Sequence, residues 1–214
     1  CPSAQLGLNA REMIEQPRRG YILLGVEPDL DCASAAETQT ALENADFVLA
    51  LSAYENEAVK TVGDVILPMA IYGENEGSLI NLMGNWQSFS PAVNPQGEAR
   101  PAWKILRMLG DMLKLPGFSA VSCEELTDEV KSLVGDIRPS GRGKSTLEKE
   151  IVDFSDEGLE LIVDVPMYAS DPLVRHAPAL QEMPQSGDDY LRMSTATATP
   201  LRVVDGVDIR VSVG

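Results

Sequence analysis

Histidine occurs once in these 214 residues, as His176. That scarcity removes whole classes of chemistry. A single imidazole cannot build a multi-histidine metal site, and no nucleophile pattern accompanies it for a triad. Its neighbours are proline, alanine and leucine, so His176 is expected to be structural. Cysteine is nearly as rare: Cys1, Cys32 and Cys123 lie far apart and none belongs to a C-x-x-C pair, which supports neither a zinc nor an iron–sulfur site. Three free thiols in a reducing compartment are expected. Basic residues are few, 17 Lys and Arg against 33 Asp and Glu, for a net charge of −16. Binding a nucleic-acid backbone takes clustered cations that release counterions, so nucleic acid is excluded as a partner. The acidic surface serves solubility, or meets a basic neighbouring subunit.

Long apolar runs are also missing. None approaches the roughly 18–20 residues that a membrane-spanning helix needs, so the chain is expected to be soluble with no direct membrane span. It begins Cys1-Pro2 with no initiator methionine, basic leader or apolar leader core, which is expected of a processed or excised piece of a longer protein. No G-x-G-x-x-G follows a predicted strand, against a free-standing dinucleotide-binding enzyme. Gly141-Arg142-Gly143-Lys144-Ser145-Thr146 imitates a phosphate loop but fails on spacing: Arg138 stands where the first glycine is required, and no strand precedes it.

What is present is an alternation of strands and helices. With 44% hydrophobic residues the chain can bury a real core. Tyr21 to Val26, bounded by glycine and Glu27-Pro28, predicts a central strand, and Phe47 to Leu51 a second. The short apolar run from Val62 ends in a third, Val65 to Leu67, buried and closed by Pro68. Between them a helix is expected over Ala33 to Asn44, capped by Asp29 or Asp31, and a shorter one over Glu55 to Lys60. This order implies βαβ crossovers and a parallel sheet whose strand ends are the usual ligand site. Gly73 to Gln87 reads as a polar loop, in which Glu74 and Glu76 are expected to be solvated rather than paired. Pro101 opens a helix whose Ala102, Ile105, Leu106, Leu109, Met112 and Leu113 share one face until Leu115-Pro116-Gly117 stops it. Trp103 is expected to pack that helix on the sheet. Ser122 with Glu125 forms a capping box for a helix over Cys123 to Val134. Strands are expected at Leu159 to Val165 and Val207 to Val213.

Two blocks carry a family resemblance. Asp64, Leu67, Pro68, Glu74, Gly77, Ser78, Asn81, Gly84 and Gln87, then Gly97-Glu98-Ala99-Arg100-Pro101 with Trp103 and Lys104, follow a D-x-V-L-P … E-x-x-G-T-x-x-N-x-E-G-R-x-Q … G-E-A-R-P-x-W-K pattern. It resembles the molybdopterin oxidoreductase superfamily as represented by the large iron–sulfur subunits of NADH:quinone oxidoreductase, respiratory complex I. Met83 and Asn85 depart from the usual Glu and Arg. Further on, Met167-Tyr168 and Asp171 to Gln181 resemble P-M-Y-x-x-D-x-L-V-R-R-A-P-A-L-Q, with His176 for the second Arg. Ser194 to Gly214 resembles a segment of the family's terminal β-barrel, and Gly25-Val26-Glu27-Pro28 the G-x-x-P turn that molybdopterin enzymes place near the pterin dinucleotide.

The resemblance implies an α/β fold: a parallel-sheet, Rossmann-like three-layer domain over 1–135, a linker over 136–150 and a β-rich C-terminal region over 151–214. It implies a structural and assembly portion of the large iron–sulfur subunit, carrying no redox centre, with its clusters outside this segment. The implied partners are other subunits of the complex's cytoplasmic arm, on the cytoplasmic side of the bacterial inner membrane. On this reading no residue is assigned a catalytic, cofactor-binding or metal-ligating role. The alternative is a fragment of an active, formate dehydrogenase-like molybdopterin enzyme that keeps part of a cofactor cradle.

Overall fold

The computed structural model describes residues 7–135, 159, 162, 165–184 and 190–211. The chain divides into two compact units, Cys1–Leu159 and Glu160–Gly214. The expected linker over 136–150, the false phosphate loop and most of the expected strand Leu159 to Val165 lie outside the described residues.

The first unit is built on β1 (Gly20–Leu24), β2 (Phe47–Ser52) and β3 (Val65–Pro68), parallel and in the order β1-β2-β3. Tyr21 pairs with Val48, and Ala50 with Ile66. The α/β, parallel-sheet expectation holds, but the central strand is β2 rather than β1. Val48, Leu49, Ala50 and Leu51 are all buried, as a strand covered on both faces requires, whereas Ile22 and Leu24 of β1 are exposed. β3 is likewise an edge, with Val65 and Ile66 exposed. Asp64 begins it: its carboxylate accepts the Val48 N–H at 2.7 Å and its own N–H donates to the Val48 carbonyl at 3.0 Å.

Strands taken in sequence order require both crossovers to step the same way, which places their helices on one face of the sheet. These are α3 (Ala35–Glu43) and α4 (Glu57–Val62), preceded by α1 (Ala10–Glu15) and α2 (Pro28–Asp31). Tyr21, Leu42, Val48 and Val62 form the core beneath them, with Leu23 and Ala45 packed alongside. The helix expected over Ala33 to Asn44 is α3, preceded by Ser34, whose side chain makes no capping bond, and separated from α2 at Cys32. Asp31 caps nothing in α3; its carboxylate instead takes the Glu27 N–H at 2.8 Å. α4 begins at Asn56, whose side-chain oxygen accepts the Val59 N–H at 2.9 Å.

The segment expected to be a loop contains a hairpin, β4 (Gly77–Ile80) and β5 (Trp86–Phe89), antiparallel, with Ile80 opposite Trp86. Asn81 organises its turn: its side-chain oxygen accepts the N–H groups of Met83 and Asn85, each at 3.0 Å, and Gly84 takes φ +82°. Glu74 is the second correction. It is buried, not solvated, because its carboxylate bends back onto the Ile71 N–H at 3.1 Å.

α5 (Ala102–Met112) opens after Pro101 as expected. It ends at Lys114, which sits at φ +55°, a left-handed position that glycine occupies without a Cβ penalty. Lys114→Gly is expected to raise stability by about 0.5–1 kcal/mol in a urea titration. α6 (Cys123–Val134) begins at Ser122, whose Oγ accepts the Glu125 N–H at 3.2 Å, while the Glu125 carboxylate takes the Val121 N–H at 2.9 Å.

In the second unit the described elements are a 3-10 turn at Met167–Ala169, α7 (Pro172–Arg175), α8 (Pro178–Gln181) and α9 (Thr195–Leu201). The Gln181 amide ties the first three together, donating to the Tyr168 and Val174 carbonyls at 3.0 and 2.7 Å. His176 ends α7 through its backbone N–H to the Pro172 carbonyl. Of the strand expected over Val207 to Val213, residues 207–211 are described and join no ladder. Their apolar–polar alternation has no neighbouring strand among the described residues to take its backbone groups.

Candidate functional site

The chemistry of a parallel sheet gathers at the carboxyl ends of its strands. Here that crest consists of the turns after β1, β2 and β3. Gly25 follows β1 at φ +61°, its N–H on the Leu51 carbonyl at 2.9 Å. A Cβ added there would meet Met69 Cε at 3.2 Å, so the glycine makes room for the methionine that follows β3. Glu27 and Pro28 are buried. Across the crest, the Asn56 amide donates to the Asp29 carboxylate at 3.1 Å, and Ser52 Oγ donates to the Tyr54 carbonyl at 2.7 Å.

Beside β3, the Gly97-Glu98-Ala99-Arg100 segment adds one rung in parallel: the Ala70 N–H donates to the Arg100 carbonyl at 2.9 Å and the Arg100 N–H to the Pro68 carbonyl at 3.3 Å. The signature residues therefore do separate jobs. Asp64 pins β3 to β2, Glu74 closes the turn after it, Asn81 folds the hairpin, and Arg100 extends the sheet. Met83 is exposed at the hairpin tip, and Asn85 lends its backbone N–H there.

Cys123 lies where α6 meets the hairpin, its Sγ 3.7 Å from the Glu76 carbonyl. Ser78 Oγ stands 3.1 Å from Ser88 Oγ and 3.5 Å from Thr127 Oγ1. Burial, then the Glu76 carboxylate, pushes the thiol above its ordinary value. A thiol raised on folding favours the folded state below its unfolded pKa, and that advantage is lost as pH rises through the folded value. Iodoacetamide is expected to alkylate Cys123 with a higher midpoint pH in the folded chain than in urea; coincident midpoints would contradict this reading.

A pterin dinucleotide would present a pyrophosphate to the crest, which needs N–H donors or cations. The crest offers Glu27, Asp29, Asp31 and Glu55, and its cation, Lys60, is held by Glu55 at 3.1 Å and Glu57 at 2.9 Å. The Asn56 amide is already committed to Asp29, and the Glu27 N–H to Asp31. The space beside Gly25 is filled by Met69. These residues do not suit the phosphates. Among the described residues no group of three or more His, Cys, Asp or Glu is arranged to hold a metal ion, and no helix is long and apolar enough to cross a membrane.

The fold defines a parallel-sheet α/β module carrying a short antiparallel hairpin. The molybdopterin oxidoreductase family profile matches residues 3–112, and the chain belongs to that family. It is 25% identical over 228 aligned residues to the NADPH-Fe(3+) oxidoreductase subunit alpha of Geobacter sulfurreducens, covering 99% of this chain and 26% of that protein. To the F420-dependent formate dehydrogenase subunit alpha of Methanocaldococcus jannaschii it is 27% identical over 136 residues, 62% of this chain and 20% of that one. A shorter match, 47% identical over 55 residues, joins 25% of the chain to 8% of the mitochondrial NADH-ubiquinone oxidoreductase 78 kDa subunit of Candida albicans. The chain thus spans about a fifth to a quarter of the length of the first two relatives.

Proposed function

We propose that this chain is the C-terminal part of the large iron–sulfur subunit of a proton-pumping NADH:quinone oxidoreductase, and that it works as scaffold rather than as a redox site. The observation that carries this reading is the block of 55 residues, a quarter of the chain, that is 47% identical to the 78 kDa subunit, beside 25–27% over the longer alignments of 136 and 228 residues to the formate dehydrogenase and reductase alpha subunits. The carboxylate-lined crest supports it, since a scaffold has no phosphate to hold. On this reading no cofactor binds within the fragment, iron–sulfur clusters belong to other parts of the full subunit, and the partners are subunits of the cytoplasmic arm at the bacterial inner membrane.

The second reading is a piece of an active molybdopterin enzyme. The match to the F420-dependent formate dehydrogenase subunit alpha along 62% of the chain favours it. Affinity purification of the tagged native protein separates the two. Co-elution with flavin-bearing and iron–sulfur subunits, with iron but no molybdenum in the eluate, is the expected result. Stoichiometric molybdenum with formate-dependent dye reduction would establish the second reading instead.

A further inference from the structure

The described aspartates differ in what holds their carboxylates. Asp31 accepts the Glu27 N–H, Asp64 the Val48 N–H and Asp171 the Val174 N–H. Asp29 takes the Asn56 amide, and Asp46 and Asp128 pair with Arg19 and Lys131. Asp111 lies inside α5, where the helical ladder holds the backbone. Asp205 and Asp208 remain, both exposed and, among the described residues, without a hydrogen-bond or ionic partner. Asp208 precedes Ile209, whose branched Cβ shields the amide between them. Asp205 precedes Gly206, the one Asp-Gly step in a sequence that has no Asn-Gly. Gly206 turns the chain at φ +78°, and apart from its chain neighbours no heavy atom lies within 4 Å of where its Cβ would stand. Its N–H makes no hydrogen bond among the described residues.

We propose that Asp205 is a modification site, at which the side chain closes on the Gly206 amide to a succinimide that reopens as isoaspartate. The Gly206 nitrogen attacks the side-chain carboxyl carbon of Asp205 in its protonated form. An N–C bond forms, a C–O bond breaks, and the departing oxygen leaves as water with the carboxyl and amide protons. Water then opens the ring at either carbonyl. One opening restores aspartate; the other leaves the main chain running through the side-chain carbon, longer by one backbone atom. No oxidant, metal or co-reactant other than water takes part. Glycine matters because it offers no Cβ to block the approach. The reaction joins two neighbours in sequence, so no partner surface is required, and the central residues of a turn stay outside any ladder that the flanking residues join. The added atom falls directly ahead of residues 207–211, whose alternation is registered by that turn. The inference stands independently of which oxidoreductase the chain serves.

The test ages the native protein at neutral pH and physiological temperature, then digests it. The peptides are treated with isoaspartyl methyltransferase and labelled S-adenosylmethionine, which esterifies the free α-carboxylate of isoaspartate and releases S-adenosylhomocysteine. Label is expected to accumulate on the peptide that contains Asp205, alongside a succinimide form of that peptide lighter by one water. Asp205→Glu should lose both signals, because closure would then need a six-membered ring. Asp205→Asn should gain label faster than the parent, since ammonia leaves in place of water. An unlabelled Asp205 peptide in the aged protein overturns the proposal. So does label spread equally over the peptides bearing Asp171 and Asp208, or label that persists at this position in Asp205→Glu.

Discussion

Replacing Gly110 with alanine is expected to destabilise the chain, although glycine inside a helix is ordinarily a defect. Removing one normally gains about 0.5–1 kcal/mol of helix propensity. Here the sign should reverse. Gly110 is buried in α5, and a Cβ built on it would lie 2.1 Å from Phe118 Cγ and 2.2 Å from Cδ1. Phe118 is held there because the chain turns back directly after α5, with the Leu115 N–H on the Gly110 carbonyl at 2.9 Å. Phe118 is half-buried, so the ring or the helix has to shift to admit the methyl group. Overpacking of this kind costs about 1–3 kcal/mol, more than the propensity gained. Urea denaturation of Gly110→Ala should therefore show a lower midpoint. In a Phe118→Ala background the same change should become neutral or stabilising, since the clash is gone and the propensity remains. A Gly110→Ala chain as stable as the parent would mean that the ring does not pack on this helix.

The parallel sheet was legible because each strand is a short apolar burst with its own punctuation, such as Gly25 after β1 and Gly63 and Pro68 around β3. The capped helices were legible for the same local reason: Ser122 with Glu125 marks α6, and Pro101 marks α5. What escaped depends on partners distant in sequence. Which strand is central depends on what covers each face. Ile22 and Leu24 are as apolar as Leu49 and Leu51, yet only the latter pair is buried. The hairpin was hidden because Gly77-Ser78-Leu79-Ile80 has no period-two pattern; its pairing shows only when Ser78 meets Ser88. Glu74 looked solvated because its acceptor role lies in the turn geometry rather than in its neighbours' polarity. At the crest, the G-x-x-P turn was readable, but not that Met69 would occupy the space beside Gly25.

Leu42→Ala should produce the largest loss among simple truncations, and the reason lies in the cluster beneath α3 and α4. Leu42 is 1% exposed and stands in α3 over Tyr21 and Val48, with Val62 completing the cluster. Four side chains from four elements meet there, and the cluster joins the two crossovers to the sheet. Truncation removes the transfer energy of the buried methyl and methylene groups and leaves a cavity that β1, β2 and both helices cannot all close on, for a cost of about 2–5 kcal/mol. Against a typical domain stability of about 5–15 kcal/mol this is a large fraction, and the unfolding midpoint should fall accordingly. Leu82→Ala supplies the comparison, because Leu82 is 96% exposed at the hairpin tip and its loss should move stability by no more than about 0.5 kcal/mol. The two substitutions delete the same atoms. A similar effect from both would show that α3 is not seated on the sheet through this cluster, whereas the expected gap between them measures how far this cluster holds the helices to the sheet.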